Sequence, residues 1–245
     1  MQIVVDNLAI EHTDLSPDKK ETILILHGWG RNHKEWIPIA TKLSKTNRVV
    51  VPDLPGFGNS LMPEDISFDI YDYANVIKHF IEKKNIKTQI TIIGHSFGGK
   101  IATILAAKKM IQLKKLVLVD SSGIQPKNIR YRMNKLLMNL LKCMGIKKMN
   151  SFIKIFVPSN DYKQAGTLLP TFKKIVKQHT DNILCEISAP TVIMWGENDN
   201  TLFVSDAIKL RSGIKKSVLR IIWKAKHDPH MSHEQNFLNI LHEEL

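Results

Sequence analysis

Gly94-His95-Ser96-Phe97-Gly98-Gly99 stands between an apolar run, Gln89 to Ile93, and a helix-forming run, Lys100 to Lys109. A serine with a glycine two places before it and another two places after it, set between a strand and a helix, makes a tight turn. That turn lifts the hydroxyl off the end of a sheet into solvent. The glycines have a steric reason, since a side chain at either place would crowd the turn against the neighbouring strand and helix. Phe97 then opens the helix, so its backbone N–H points to where negative charge would develop on a substrate oxygen. The hexapeptide alone is a weak signal, and its weight comes from three other stretches that supply what such a serine needs.

Working outward toward the N-terminus, the strand Arg48 to Val51 is followed by Pro52-Asp53-Leu54-Pro55-Gly56-Phe57-Gly58-Asn59-Ser60, a rigid loop. An acid in such a loop orders the turn through bonds to backbone amides, and Asp53 is expected to do so. Thr22 to Leu26 is a fully apolar strand ending in His27-Gly28-Trp29-Gly30, where glycines allow backbone amides close to a ligand. The N–H of Trp29 is the candidate second donor for an oxyanion. Ile3 to Val5 and Leu8 to Ile10 read as a hairpin around Asp6-Asn7, with a polar stretch from Thr13. Helical spacing marks Trp36 to Leu43 and Asp69 to Lys83.

Beyond the serine, the strand Leu116 to Val119 ends in Asp120, and the strand pattern then stops. Residues 123–185 read as a helical cap inserted into a core formed by residues 1–122 and 186–245. Met133, Leu136, Leu137, Leu140 and Met144 recur at helical spacing there, and with Phe152 they are candidates for an acyl-binding face. The core resumes with Pro190 to Trp195, leading into Glu197 and Asp199. A helix around Val204 to Leu210, the strand Val218 to Trp223, His227 and a closing amphipathic helix from Glu234 follow. Strands alternating with helices imply an α/β fold with a mostly parallel sheet, whose functional groups sit in loops after the strands' carboxyl ends. Ser96, Asp199 and His227 each fall in such a loop.

Those three residue types fit one chemistry. A serine hydroxyl is a poor nucleophile, so a histidine must take its proton during attack, and a carboxylate on the other ring nitrogen fixes the tautomer. This chemistry calls for no cofactor and no metal. Ten histidines compete for the role of base. His227 comes first after the last strand, whereas His230 and His233 are expected to cap or pack the final helix. For the acid, Asp199 is preferred to Asp120, and Glu197 is assigned to the turn.

Composition bounds the rest. The chain has 245 residues, 43 % of them apolar, and a formal charge of +12. Between Gly123 and Leu184 twelve Lys or Arg face two acids, a local +10 that leaves +2 elsewhere. Such a concentration suits an acidic partner or, at the periphery, an anionic membrane surface; no nucleic-acid motif accompanies it. No apolar run reaches membrane-spanning length and Met1 to Asp6 lacks the pattern of a leader, so a cytoplasmic location is expected. Cys143 and Cys185 have no metal or disulfide spacing and are expected to be buried or semi-buried thiols.

Outside residues 123–185 the chain resembles the α/β-hydrolase superfamily over nearly its full length. The resemblance rests on His27 to Gly30, Asp53 to Ser60, Gly94 to Gly99, Trp195-Gly196-Glu197-Asn198-Asp199, and His227 after the last strand. The order Ser, Asp, His is also that of the superfamily. The resemblance implies an α/β-hydrolase fold and a serine hydrolase with Ser96 as nucleophile, Asp199 as acid and His227 as base. It further implies that His27 and His95 support loops, and that Asp120 holds a position some members use for the acid. Within the superfamily, the chain is most similar to carboxylesterases of the pimeloyl-acyl-carrier-protein methyl ester esterase type. Carboxylic ester or thioester substrates follow, either small or carried on an acidic carrier protein. A C–C bond hydrolase or lyase on the same scaffold, or a binding protein that retains the fold without catalysis, are the alternatives.

Overall fold

The computed structural model describes residues 1–86, 89–125 and 165–245. Eight strands form one sheet: β1 (Gln2–Val5), β2 (Leu8–Leu15), β3 (Thr22–Leu26), β4 (Arg48–Pro52), β5 (Ile90–His95), β6 (Leu113–Val119), β7 (Thr191–Gly196) and β8 (Ser217–Ile222). Their order is β1-β2-β4-β3-β5-β6-β7-β8, with β1 and β2 antiparallel and β3 to β8 mutually parallel. β3, β5 and β7 are buried at every position, as strands covered by helices on both faces must be.

The hairpin turn falls at Asp6 and Asn7, both at positive φ, which matches the right-handed twist of the flanking strands. β2 continues to Leu15, beyond Ile10 where the hairpin was expected to end. Its polar second half pairs with β4, and Arg48 binds Asp14 in a two-pronged contact at 3.0 and 2.8 Å.

On one face of the sheet lie α2 (Ile70–Lys83), α3 (Phe97–Ala107) and α5 (Val204–Gly213); on the other lie α1 (Ile37–Leu43) and α7 (Glu234–Glu244). Each face has its own apolar core. One is built around Tyr73, Phe80, Ile101 and Leu105, the other around Trp36, Ile39, Phe237 and Leu241. The two short helices α4 (Leu169–Ile175) and α6 (Pro229–Ser232) complete the described helices.

Between β6 and β7 the described residues form α4 and two 3-10 turns, Gly166–Leu168 and Asp181–Glu186. The rest of the expected cap, residues 126–164, lies outside the described residues. The described part is fastened to the core by polar bonds. Lys100 on α3 buries its ammonium and donates to the Ile175 carbonyl at 2.7 Å, and this burial pushes its pKa down to about 8. The amides of Phe68 and Ile70 donate to Thr171 Oγ1 and Gln178 Oε1 at 3.0 and 2.9 Å. Cys185 is exposed, contrary to expectation: Ile183 and Leu184 take the inward positions of its 3-10 turn and leave the thiol outside.

Asp69 anchors this junction from the α2 side. Its carboxylate caps the amides of Tyr71 and Asp72, the Asp72 side chain returns the bond to Asp69 N, and Gln178 Nε2 adds a third donor at 3.2 Å. Losing such a cap costs about 1 kcal/mol. Asp69→Ala is expected to lower the melting temperature by roughly 2–4 °C, whereas Asp69→Ser should recover most of the loss; thermal denaturation of both variants checks this.

Candidate active site

Ser96 occupies the turn between β5 and α3 with φ 49° and ψ −111°, a conformation disfavoured for a residue with a side chain. Its own backbone is tied on both sides. Ser96 N–H donates to Val119 O at 2.9 Å, and Ser96 O accepts from the amides of Ser122 and Lys100 at 3.0 and 3.2 Å. The expected steric role of the glycines is visible at Gly94, where a Cβ would lie 2.6 Å from the Gly99 Cα.

His227 lies five residues beyond the end of β8, in a loop with several ties. Lys224 turns the chain at φ 60° and its amide donates to Glu197 Oε2 at 3.0 Å, so Glu197 serves the turn as expected. The Asn198 amide donates to Ala225 O at 2.8 Å, and His95 Nε2 donates to His227 O at 2.9 Å. This loop brings His227 Nε2 to 3.1 Å from Ser96 Oγ and Nδ1 to 2.7 Å from Asp199 Oδ2. Asp199 is buried, and its Oδ1 accepts the amides of Thr201 and Leu202 at 2.7 and 3.0 Å. These bonds orient the carboxylate toward the imidazole.

The second carboxyl near the histidine behaves differently. Asp120 is fully buried at the end of β6, with Oδ1 accepting the Gly196 amide at 2.9 Å and Oδ2 unpartnered among the described residues. Burial pushes its pKa up to about 9, the nearby Asp199 charge adding to the effect and the Gly196 bond opposing it. Asp120 is therefore protonated at neutral pH, which leaves Asp199 as the anion facing His227.

Trp29 N–H and Phe97 N–H, the two candidate oxyanion donors, have no acceptor among the described residues. Phe97 is the first residue of α3, where a helix leaves its amides unused. The Trp29 ring packs edge-on against Phe57 and Phe97, with centroids 4.8 and 5.4 Å away, and lies 5.1 Å from Phe172. This aromatic wall was not anticipated. Phe57 lies in a motif already noted, but Phe172 carries no local signal and reaches the wall only through the docking of α4. A cleft of about 340 Å³ opens beside the wall, bounded by Trp29, Arg31, Phe57 and Leu168. The candidate acyl-face residues Met133, Leu136, Leu137, Leu140, Met144 and Phe152 lie outside the described residues.

The remaining acids and histidines have supporting places. Asp53 accepts the amides of His33 and Asn59 at 2.6 and 2.9 Å and the His33 ring at 2.8 Å, ordering its loop as expected. His27 donates from Nδ1 to Gly28 O at 2.8 Å and accepts the Leu54 amide on Nε2 at 2.9 Å, so it joins two loops. His230 is buried and stacked on Trp36, with centroids 4.0 Å apart and planes within 2°. His233 precedes α7 but supplies no side-chain cap.

A mostly parallel sheet that brings a strained serine, a histidine and a buried carboxylate together at its strands' carboxyl ends is the framework of a hydrolase. The profile of the α/β-hydrolase fold matches residues 21–181, and the chain belongs to that family. Lipase 3 of Moraxella sp. (strain TA144) is 28 % identical over 204 residues, which span 74 % of this chain and 64 % of the lipase. The pimeloyl-[acyl-carrier protein] methyl ester esterase of Aeromonas hydrophila subsp. hydrophila is 24 % identical over 258 residues, 96 % of this chain and 98 % of the esterase. The crystal structure of a membrane phospholipase A superposes with a TM-score of 0.75 at 25 % identity, covering 99 % of this chain and 86 % of that one. A thermophilic esterase from Thermogutta terrifontis has the same fold, with a TM-score of 0.76 at 18 % identity and coverage of 99 % and 96 %. The chain is a carboxylesterase-like enzyme. No described helix is long and apolar enough to cross a membrane.

The unequal carboxyls give a pH-dependent expectation. Asp120 in the folded state holds its proton up to about 9, whereas in the unfolded chain it releases it near 3.9. The folded state therefore binds more protons across that window, and this contribution to stability is full below the lower value and lost as pH rises toward the upper one. Asp120→Asn, a neutral isostere, should show a melting-temperature advantage over wild type that grows from pH 5 to pH 9, and should keep most turnover. Asp199→Asn should lower turnover by ~10⁴. A larger loss in the Asp120 variant would reverse the two assignments.

Proposed function

We propose that this enzyme hydrolyses carboxylic esters or thioesters through an acyl-enzyme, with Ser96 as nucleophile, His227 as general base and acid, and Asp199 as the residue that orients His227. The observation that carries the reading is the continuous relay from Ser96 Oγ to His227 Nε2 at 3.1 Å and from His227 Nδ1 to Asp199 Oδ2 at 2.7 Å. In the first half-reaction Ser96 Oγ bonds to the substrate carbonyl carbon while its proton passes to His227 Nε2. The carbonyl π electrons move onto oxygen, and the Trp29 and Phe97 amides receive that oxyanion. Collapse of the adduct breaks the bond to the alcohol or thiol, which leaves with the proton from His227. Water then attacks the acyl-enzyme by the same route, releasing the acid and restoring Ser96. Each oxyanion donor is worth ~3–4 kcal/mol of transition-state stabilisation.

Fluorophosphonate labelling tests the nucleophile. Ser96→Ala should abolish labelling and reduce p-nitrophenyl ester turnover to near background with the fold intact by circular dichroism. Labelling that persists in the variant would place the nucleophile at another serine.

For the substrate we propose an ester or thioester presented on an anionic carrier. Support comes from the basic stretch between Gly123 and Leu184 and from a relative named for an acyl-carrier-protein ester. Lys173 and Lys177 of this stretch are exposed beside α4, the helix that brings Phe172 to the aromatic wall. Exposed charge of this kind acts mainly on encounter rate and is screened beyond about 8–10 Å at physiological salt. The value of kcat/KM for a carrier-linked ester should therefore fall steeply with added salt, while that for a small neutral ester stays nearly constant. Lys173→Glu combined with Lys177→Glu should reproduce the loss at low salt. Equal salt dependence for the two substrates would return these lysines to surface solvation.

A further inference from the structure

Behind the catalytic histidine lies a group of buried polar side chains that the ester chemistry does not use. Glu35 from the 3-10 turn His33–Trp36, His95 at the end of β5 and His230 in α6 each place one ligating atom within 4.8 Å of the others. All three carry buried atoms with no hydrogen-bond partner among the described residues: Glu35 Oε1, His95 Nδ1 and both ring nitrogens of His230. Buried polar atoms are seldom left unsatisfied, because each lost partner costs about 1–3 kcal/mol. Several such atoms stand close together here, an arrangement that one bound ion would satisfy.

We propose that Glu35, His95 and His230 form a site for a divalent transition-metal ion, best suited to zinc. Two imidazoles and one carboxylate form a donor set for which zinc is well matched. His95 is in the state a metal ligand needs. Its Nε2–H donates to the His227 carbonyl at 2.9 Å, which leaves the lone pair on Nδ1, and a backbone carbonyl is a usual partner for the other nitrogen of a metal-bound histidine. Gly28 passes that nitrogen without a side chain; a Cβ there would lie 3.0 Å from Nδ1.

The ligating atoms, which lie within 4.8 Å of one another, must close on the ion. His230 Nε2 is 3.7 Å from Glu35 Oε1, while ligands around a tetrahedral zinc stand roughly 3.3 Å apart. His230 is held in plane by Trp36 and His95 by its bond to the His227 carbonyl, so Glu35 supplies the movement. Asp228 Oδ1, also buried and without a hydrogen-bond partner among the described residues, lies 3.6 Å from His95 Nε2, on the side of the ring away from Nδ1. Arg31 closes the solvent side, 2.8 Å from Asp228 Oδ2 and 3.7 Å from Glu35 Oε2, and its half-exposed side chain marks the way in. Cysteine spacing carries no hint of this site, because its ligands come from three separated loops.

The test uses the full-length protein stripped of metal, zinc titrated by calorimetry, and cobalt(II) as a spectroscopic substitute. Wild type should bind one equivalent of zinc, gain several degrees in melting temperature, and give cobalt absorption bands of a four-coordinate site. Glu35→Gln and His230→Phe should each weaken binding at least tenfold while melting as wild type does without metal; phenylalanine keeps the stack on Trp36. Asp199→Asn should bind zinc as wild type does. That variant separates the site from the second close group, Asp120, Asp199 and His227. Loss of binding in Asp199→Asn with retention in His230→Phe would put the ion on the catalytic residues and overturn the proposal. Absence of stoichiometric binding in wild type would overturn it as well and leave a pocket filled by water.

Discussion

Ser96 is held in a backbone conformation that an unconstrained residue avoids, and such strain, of order 1–3 kcal/mol, persists only where the surroundings over-determine it. Here the surroundings are the middle of the sheet. β5 has β3 on one side and β6 on the other, and Ser96 is bonded through its own N–H and C=O to Val119, Ser122 and Lys100. No flexible loop shares that turn. The placement of the hydroxyl thus follows from strand register, and the two apolar cores that bury β3, β5 and β6 are also what keep the serine strained.

Around that fixed point two carboxyls divide the electrostatic work by environment. Asp199 accepts two backbone amides and the His227 ring, so its negative charge is met on both oxygens. Asp120 has one amide and, among the described residues, no partner for its other oxygen in a dry interior, so it keeps its proton. Two ionised carboxylates this close would repel, and one protonated acid beside one anion removes the conflict. The position after β6 is thereby occupied by an acid that stays neutral while the position after β7 carries the charge.

The sequence was legible where local pattern and steric need coincide. Gly94 and Gly98 announce the turn, the apolar run before them announces a central strand, and the apolar spacing from Asp69 to Lys83 announces a helix. Asp53 could be assigned to its loop because prolines and glycines around it leave an acid little else to bind. Legibility ended where partners come from afar. That Asp120 is protonated depends on its burial and on the charge of Asp199, far along the chain. That Phe172 joins Trp29 and Phe57 depends on α4 docking against α2 through Thr171 and Gln178. Cys185 was misread because burial of a thiol was argued from residue type, whereas its 3-10 turn gives the inward places to Ile183 and Leu184. His230 packs against Phe237 of the last helix as expected, but its stack on Trp36 depends on a turn near the opposite end of the chain.

The contacts that hold Ser96, Asp199 and His227 come from a limited part of the molecule. Val119 and Ser122 fix Ser96; Thr201 and Leu202 fix Asp199; Glu197, Asn198 and His95 fix the loop of His227. Among the described residues none of these partners falls within 123–185. The same stretch carries most of the chain's excess positive charge and, in Phe172, part of the aromatic wall beside the serine. Chemistry and its geometry are therefore set by the sheet and its loops. The described part of the inserted stretch can change its charge without disturbing those bonds, and such a separation between a fixed framework and a variable stretch is how one scaffold comes to serve different functions.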